Sequence, residues 1–344
     1  MDRDLPIAVD AMGGDDAPES IVNGAVKAVE NSDVSVLLVG DPEILGPLLP
    51  ASHDGISIKP ASQVIPMGAE PASSVRKNKD SSVVRTMEAV RDGEACAALT
   101  AGNTGAAMAS SLLRLGRIKG VARPAIALPF PVLNSTPTTL LDVGANADCL
   151  PEWLLQFAIL GTAYTQSRFK VAKPRVGLLT IGEEAGKGNA LSKEAAGLLE
   201  DGAWADAVGA EYIGNIEANE LMTGEADVLV CDGFTGNVVL KALEGLCKVY
   251  ESAMRTELAQ AGASDVATPI LKPLWDTYNS GNTGAAMLLG TRGVTMISHG
   301  SASSDSIANA INTAKQLHCE GVMSNLRQAV EGQRQLSTVP GKNR

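Results

Sequence analysis

The segment CAALTAGNTGAAMASSLLRLG, Cys96–Gly116, decides the fold. Its opening is a short apolar run, so Ala95–Thr100 reads as a buried strand. Its second half is rich in Ala, Met and Leu, good helix formers, so Gly105–Leu115 reads as a helix. Between them, Asn103 or Thr104 can cap the helix while the glycines let the backbone turn tightly. Such a junction leaves N–H groups pointing outward, where the helix dipole favours an anion. A capped turn with no ligand uses the same residues, so the loop alone does not choose between them. The stretch GNTGAAM, Gly102–Met108, also returns at Gly281–Met287.

The same alternation extends in both directions. Strands are expected near Ile7–Val9, Val34–Val39, Ala125–Leu128, Thr138–Val143, Val176–Ile181, Tyr212–Ile213, Asp227–Cys231 and Val294–Ser298. Helices are expected at Pro18–Glu30, Ser82–Asp92, Pro151–Gln166, Ser192–Asp201, Gly236–Gln260 and Ser304–Leu317. Repeated strand–helix units predict an α/β protein with a large, mostly parallel (mixed) sheet between two helical layers. No linker splits the chain, so residues 1–335 are expected to form one domain, with room for two intertwined lobes, and 336–344 a flexible tail.

The chain has 344 residues and a net charge of −11, which disfavours a general nucleic-acid binder. Its five cysteines are scattered without metal-ligand spacing, as expected of reduced thiols in a cytoplasmic protein. The N-terminus lacks the pattern of a signal peptide, and no apolar run reaches the roughly 18 residues of a membrane span.

Against that negative charge, one span stands out. Between Glu94 and Asp142 there is no acidic residue, yet Arg114, Arg117, Lys119 and Arg123 lie there. A second basic group, Arg76, Lys77 and Lys79, precedes it. Such clusters suit an acidic ligand or partner, although a solvated face looks the same in sequence. In GEEAGKGNAL, Gly182–Leu191, three residues separate the first two glycines where a Walker loop needs four, so it is not a P-loop. Lys187 still follows a strand end, where open α/β sheets gather ligands, and its point charge can hold a phosphate. DVGANAD presents Asp142 and Asn146 in a similar loop, and CDGFTGN presents Asp232, Thr235, Gly236 and Asn237. Asp10, Asp15 and Asp16 in DAMGGDDAP read as capping carboxylates rather than metal ligands. His299 is a candidate base or phosphate donor.

Taken together, IAVDAMGGDDAP, TAGNTGAAM, GRIKGVARPAIA, LLDVGANAD, YIGNIEANEL and DVLVCDGFTGNVVLK resemble the PlsX-type phosphate acyltransferases, in order and spacing from Ile7 to about Ala329. The resemblance implies a fold like that of the isocitrate and isopropylmalate dehydrogenases and the phosphotransacetylases. It implies an enzyme converting acyl-acyl carrier protein and inorganic phosphate into acyl phosphate for bacterial phospholipid synthesis, without a metal or organic cofactor. It further implies a homodimer at the inner face of the cell membrane, near the downstream glycerol-phosphate acyltransferase. The second GNTGAAM stands where the family carries a different loop, and is read as a helix start arrived at locally.

Under that resemblance Lys187, Asn237, Asp232 and His299 are the expected catalytic residues. Gly102, Asn103, Thr104, Gly105, Asp142, Asn146, Asn189, Thr235 and Gly236 are expected to bind substrate. Arg76, Lys77, Arg114, Arg117, Lys119 and Arg123 would dock the acidic carrier protein. Ile270, Leu271, Leu274 and Trp275 would touch lipid, although the same pattern suits a dimer or core contact. Two rivals remain at this level: a phosphotransacetylase using acyl-CoA, and a non-catalytic anion-binding protein of the same fold.

Overall fold

The structure, a computed structural model, describes residues 5–278 and 285–338. Its strands are β1 (Ile7–Asp10), β2 (Val36–Gly40), β3 (Ile56–Pro60), β4 (Ala97–Thr100), β5 (Ala125–Phe130), β6 (Thr138–Leu141), β7 (Arg175–Thr180), β8 (Glu211–Glu217), β9 (Val228–Val230), β10 (Ala285–Leu289) and β11 (Val294–Ser298). They join one sheet in the order β3-β2-β1-β4-β11-β10-β5-β6-β9-β7-β8. The strands from β3 to β11 run parallel, as do those from β6 to β8. Antiparallel pairings of β11 with β10, β10 with β5 and β5 with β6 lie between. With that odd number of reversals, the two parallel blocks point in opposite directions.

Helices α1 (Glu19–Asn31), α2 (Pro42–Leu45), α3 (Pro71–Lys77), α4 (Ser82–Arg91), α5 (Thr104–Arg114) and α6 (Pro151–Phe169) precede α7 (Ala190–Glu200) and α8 (Ala203–Val208). Then come α9 (Gly233–Gln260), α10 (Ser264–Tyr278), α11 (Ser304–Cys319) and α12 (Val322–Thr338). The two-residue period of the strands sorts their side chains into two cores. Leu99, Ala127, Met287 and Met296 join one core with α1, α6, α11 and α12. Ala98, Ile126, Leu128, Leu288 and Ile297 join the other, with α4, α5 and the start of α9. Burial on both faces is why most strands read as unbroken apolar runs.

The α/β layering agrees with the sequence, but several elements differ. Asp142 and Val143 lie beyond β6, and β8 is longer than the expected Tyr212–Ile213. Strand β3 and helices α2, α3, α8, α10 and α12 had no expected counterpart. Helix α10 holds Pro269 and Pro273, which read as breakers, and it forms by packing on α9. The second GNTGAAM is not a helix start. Its first four residues lie outside the described residues, and Ala285–Met287 open β10, paired to β11 and β5. Pairing on both sides outweighs the helix preference of Ala and Met. Of the segment read as a tail, 336–338 continue α12 and 339–344 lie outside the described residues.

Candidate active site

A cavity of about 370 Å³ opens over the middle of the sheet, between α5 and α9. Its floor is apolar: Ile126 and Leu128 of β5, Ala285 and Ala286 of β10, and Ile297 of β11. Gly102 and Thr104 form one rim; Asn237, Leu240, Lys241 and Glu244 of α9 form the other. His299, at the end of β11, joins them.

The first rim is fixed by side chains spent on backbone. Asn103 caps α5 by accepting from the Ala106 N–H at 2.9 Å, and its amide donates to the Ala69 carbonyl at 3.2 Å. The Gly102 N–H donates to Thr100 Oγ1 at 3.1 Å, and the Thr100 hydroxyl donates to Asp10 Oδ2 at 2.7 Å. Asp10 is therefore not a helix cap but the buried anchor of this turn. Burial pushes its carboxyl above the usual carboxylate range, against hydrogen bonds from Ser82 and Thr100 that pull it down. Gly13 must be glycine here, because a Cβ would meet Asp10 Oδ2 at 2.6 Å and Gly102 Cα at 2.9 Å.

The second rim rests on Asp142, which is fully buried. It accepts from the backbone N–H groups of Ile126 (3.0 Å), Gly144 (3.1 Å), Ala145 (2.9 Å) and Asn146 (2.7 Å), and from Asn146 Nδ2 (2.9 Å). Burial raises its pKa and these donors lower it. Asn146 also donates to the Pro124 carbonyl at 2.8 Å, so its amide is committed to the loop. Asp232 caps α9, accepting from the Thr235 N–H at 2.8 Å and from its hydroxyl at 2.9 Å. At Gly236 any Cβ would collide with the Asp142 carbonyl oxygen, so glycine is what lets α9 start against this loop.

The expected site residues divide between two cavities. Gly102, Thr104, Asn237 and His299 line the one above, with Asn103, Gly105, Asp142, Asn146 and Gly236 supporting its walls. Asn189, Asp232 and Thr235 line a second cavity, of about 460 Å³, beside Leu178, Leu191 and Val239. Lys187 lines neither: it is half exposed and sits 3.7 Å from Glu184. Lys241 and Glu244 carry no recognisable motif. Their signal is spacing, since Asn237, Lys241 and Glu244 fall at i, i+4 and i+7 on one helical face.

The residues expected to dock the carrier protein lie on α3, at the end of α5 and in the loop after it. Arg76 and Lys77 close α3, whose first residue Pro71 packs at Gly105. Arg114 closes the 11-residue α5 and lies 3.5 Å from Glu88. Arg117 donates to the Ala122 carbonyl, Lys119 is exposed, and Arg123 lies over the Trp153 ring at 5.1 Å. In the expected lipid contact, Leu271, Leu274 and Trp275 face a groove against α9, with Arg255 over Trp275 at 4.3 Å. Ile270 points outward, 67% exposed.

Burial pushes the Cys149 thiol up to about 12 and the Cys96 thiol to about 11, and Cys231 is also raised, so these are poor thiolates. Among the described residues no group of three or more His, Cys, Asp or Glu is arranged to hold a metal ion, and no helix is long and apolar enough to cross a membrane.

Residues 5–325 match the family model described as fatty acid synthesis protein. The phosphate acyltransferase of Nostoc sp. is 44% identical over 332 residues, covering 94% of this chain and 96% of that relative. The phosphate acyltransferase of Heliobacterium modesticaldum is 44% identical over 347 residues, covering 98% of each chain. In fold, the chain is similar to the EutD phosphotransacetylase of Staphylococcus aureus, with a TM-score of 0.60 and 15% identity over 92% of this chain and 94% of that one. It is also similar to 4-hydroxythreonine-4-phosphate dehydrogenase of Klebsiella pneumoniae, with a TM-score of 0.50 and 15% identity over 92% and 98%. The chain therefore belongs to the phosphate acyltransferase family of fatty acid synthesis proteins, enzymes of acyl transfer.

Proposed function

We propose that this acyltransferase moves the acyl group of an acyl-acyl carrier protein thioester onto inorganic phosphate, supplying acyl phosphate to phospholipid synthesis. The observation that carries this reading is the two-sided cavity: an apolar floor of strands under a rim of helix-start amides, Asn237, Lys241 and His299. An acyl thioester with a phosphate beside it has the same division. The phosphate end lies at the rim and the acyl carbonyl over the floor, with Asn237 or a rim N–H donating to the developing oxyanion. A thiolate is already a fair leaving group, so no protein nucleophile is required, in keeping with the suppressed cysteines.

The test is hydroxylamine trapping of acyl phosphate, with phosphate and either long-chain acyl-acyl carrier protein or the matching acyl-CoA. Hydroxamate formed mainly from the carrier-protein thioester, and only with phosphate present, supports the reading. Preference for acyl-CoA replaces it with a phosphotransacetylase activity, and no product from either donor removes both.

We also place the enzyme, as a homodimer, against the inner membrane face next to the acyltransferase that uses its product. The outward apolar side of α10, at Ile270, supports the membrane contact. Ile270→Glu is expected to reduce co-flotation with anionic vesicles several-fold, and unchanged flotation of the folded variant removes the membrane contact.

A further inference from the structure

We propose that Lys241 is the cation that receives the incoming phosphate, with Glu244 positioning it and His299 beside it. This deepens the reading above and rests on phosphate being the acyl acceptor. Lys241 is the one lysine or arginine among the described residues lining the central cavity, which also carries the acids Asp15 and Glu244. A phosphate dianion entering past two carboxylates needs an opposing charge there.

The geometry supplies it. Lys241 Nζ lies 2.8 Å from Glu244 Oε2 and 3.5 Å from His299 Nε2. An i,i+3 ion pair on a solvated helix face contributes little and needs no functional account. Here the partner acid is only 10% exposed, and the other neighbour comes from the loop that follows β11, far from α9 in sequence. An ammonium carries three N–H donors, so two can be occupied by Glu244 and His299 while one remains for a phosphate oxygen. Ser301 holds the other ring nitrogen: its Oγ lies 2.8 Å from His299 Nδ1 and its backbone N–H donates to Nδ1 at 3.3 Å, so the ring is fixed with Nε2 toward Lys241. Across the cavity, the first turn of α5 presents its positive dipole end at Gly102 and Thr104. Lys187, by contrast, pairs with an exposed Glu184 outside this cavity.

In the reaction, an oxygen of hydrogen phosphate forms a bond to the thioester carbonyl carbon. The C–S bond then breaks and the sulfur leaves as thiolate. The proton brought by hydrogen phosphate ends on that sulfur, so that the products are acyl phosphate and the free thiol. Lys241 keeps its proton throughout and lowers the charge the phosphate must bring to the carbonyl.

The test uses Lys241→Ala and Lys241→Arg in the full-length protein. Half of the Lys241 side chain is exposed, so truncation leaves the core intact, and thermal melting checks this. Inorganic phosphate binding is measured by calorimetry without any acyl donor, and hydroxamate formation is measured with phosphate varied at saturating thioester. Lys241→Ala is expected to weaken phosphate binding and raise the phosphate KM at least tenfold, with Lys241→Arg recovering most of the affinity. Binding and KM within threefold of the parent in Lys241→Ala overturn the proposal, as does a fall in kcat alone at unchanged phosphate affinity. If the parent binds phosphate and Lys241→Ala does not, yet no donor gives acyl phosphate, the phosphate site stands and the assigned reaction fails.

Discussion

Ala106–Met108 and Ala285–Met287 are the same three residues, each preceded by the same Gly-Asn-Thr-Gly, yet the first is part of helix α5 and the second opens strand β10. In the first, Asn103 accepts from the Ala106 N–H and the next turn follows. In the second, Met287 lies opposite Met296 on one side and Ala127 on the other. Local propensity is a weak prior, and partners elsewhere in the chain decide it. The two copies nevertheless converge on one cavity. Gly102 and Thr104 reach it from the rim, and Ala285 and Ala286 from the floor.

That comparison predicts opposite consequences for one substitution. Ala286→Phe fills the floor, and is expected to lower acyl phosphate formation on the order of 10²-fold, because displacing the reacting carbonyl by a fraction of its length removes the alignment. Ala286 belongs to the same buried cluster as Ala107 but borders the open cavity, so its variant should lose less stability than the Ala107 variant. Ala107→Phe sits fully buried in the second core, and is expected to cost about 1–3 kcal/mol of stability by overpacking, read by urea unfolding. Equal losses of stability in the two variants would break the distinction between floor and helix. Asn103→Ala sharpens it with a smaller effect. It removes both the cap of α5 and the amide tie to the Ala69 carbonyl, an expected loss of about 1–2 kcal/mol, and stability unchanged within 0.3 kcal/mol would mean the loop is held by something else.

Much of this architecture is written in local pattern. Strand β4, the cap at Asn103 and helix α5 follow from a few neighbouring residues, as do α6 and α11. Strand β10 does not, because its letters favour a helix and only the sheet corrects them. Nor does α10, where Pro269 and Pro273 argue against the helix that packing on α9 supports. The site was legible to the same degree. Loops with Gly and Asn next to strands marked both rims, but side chains from distant segments meet there by topology alone. Thus Lys241 and His299 become neighbours, whereas Lys187, attractive in its Gly-Lys-Gly setting, stands apart. Asp142 and Asn146 read as ligand groups and instead spend their polar atoms on the loop they shape.

Under the proposed function, the sheet has a consequence for how the substrate is measured. The floor strands β11, β10 and β5 are each laddered to neighbours on both sides, within a sheet that never breaks across the described chain. Widening that floor would require tearing hydrogen bonds along the middle of the molecule, so it acts as a fixed gauge. The walls are set differently, by a turn that Asp10 pins on one side and by a helix seated against the Asp142 carbonyl at Gly236 on the other. Under the proposed reading, tolerance for different acyl groups becomes a property of those walls rather than of a deformable bed.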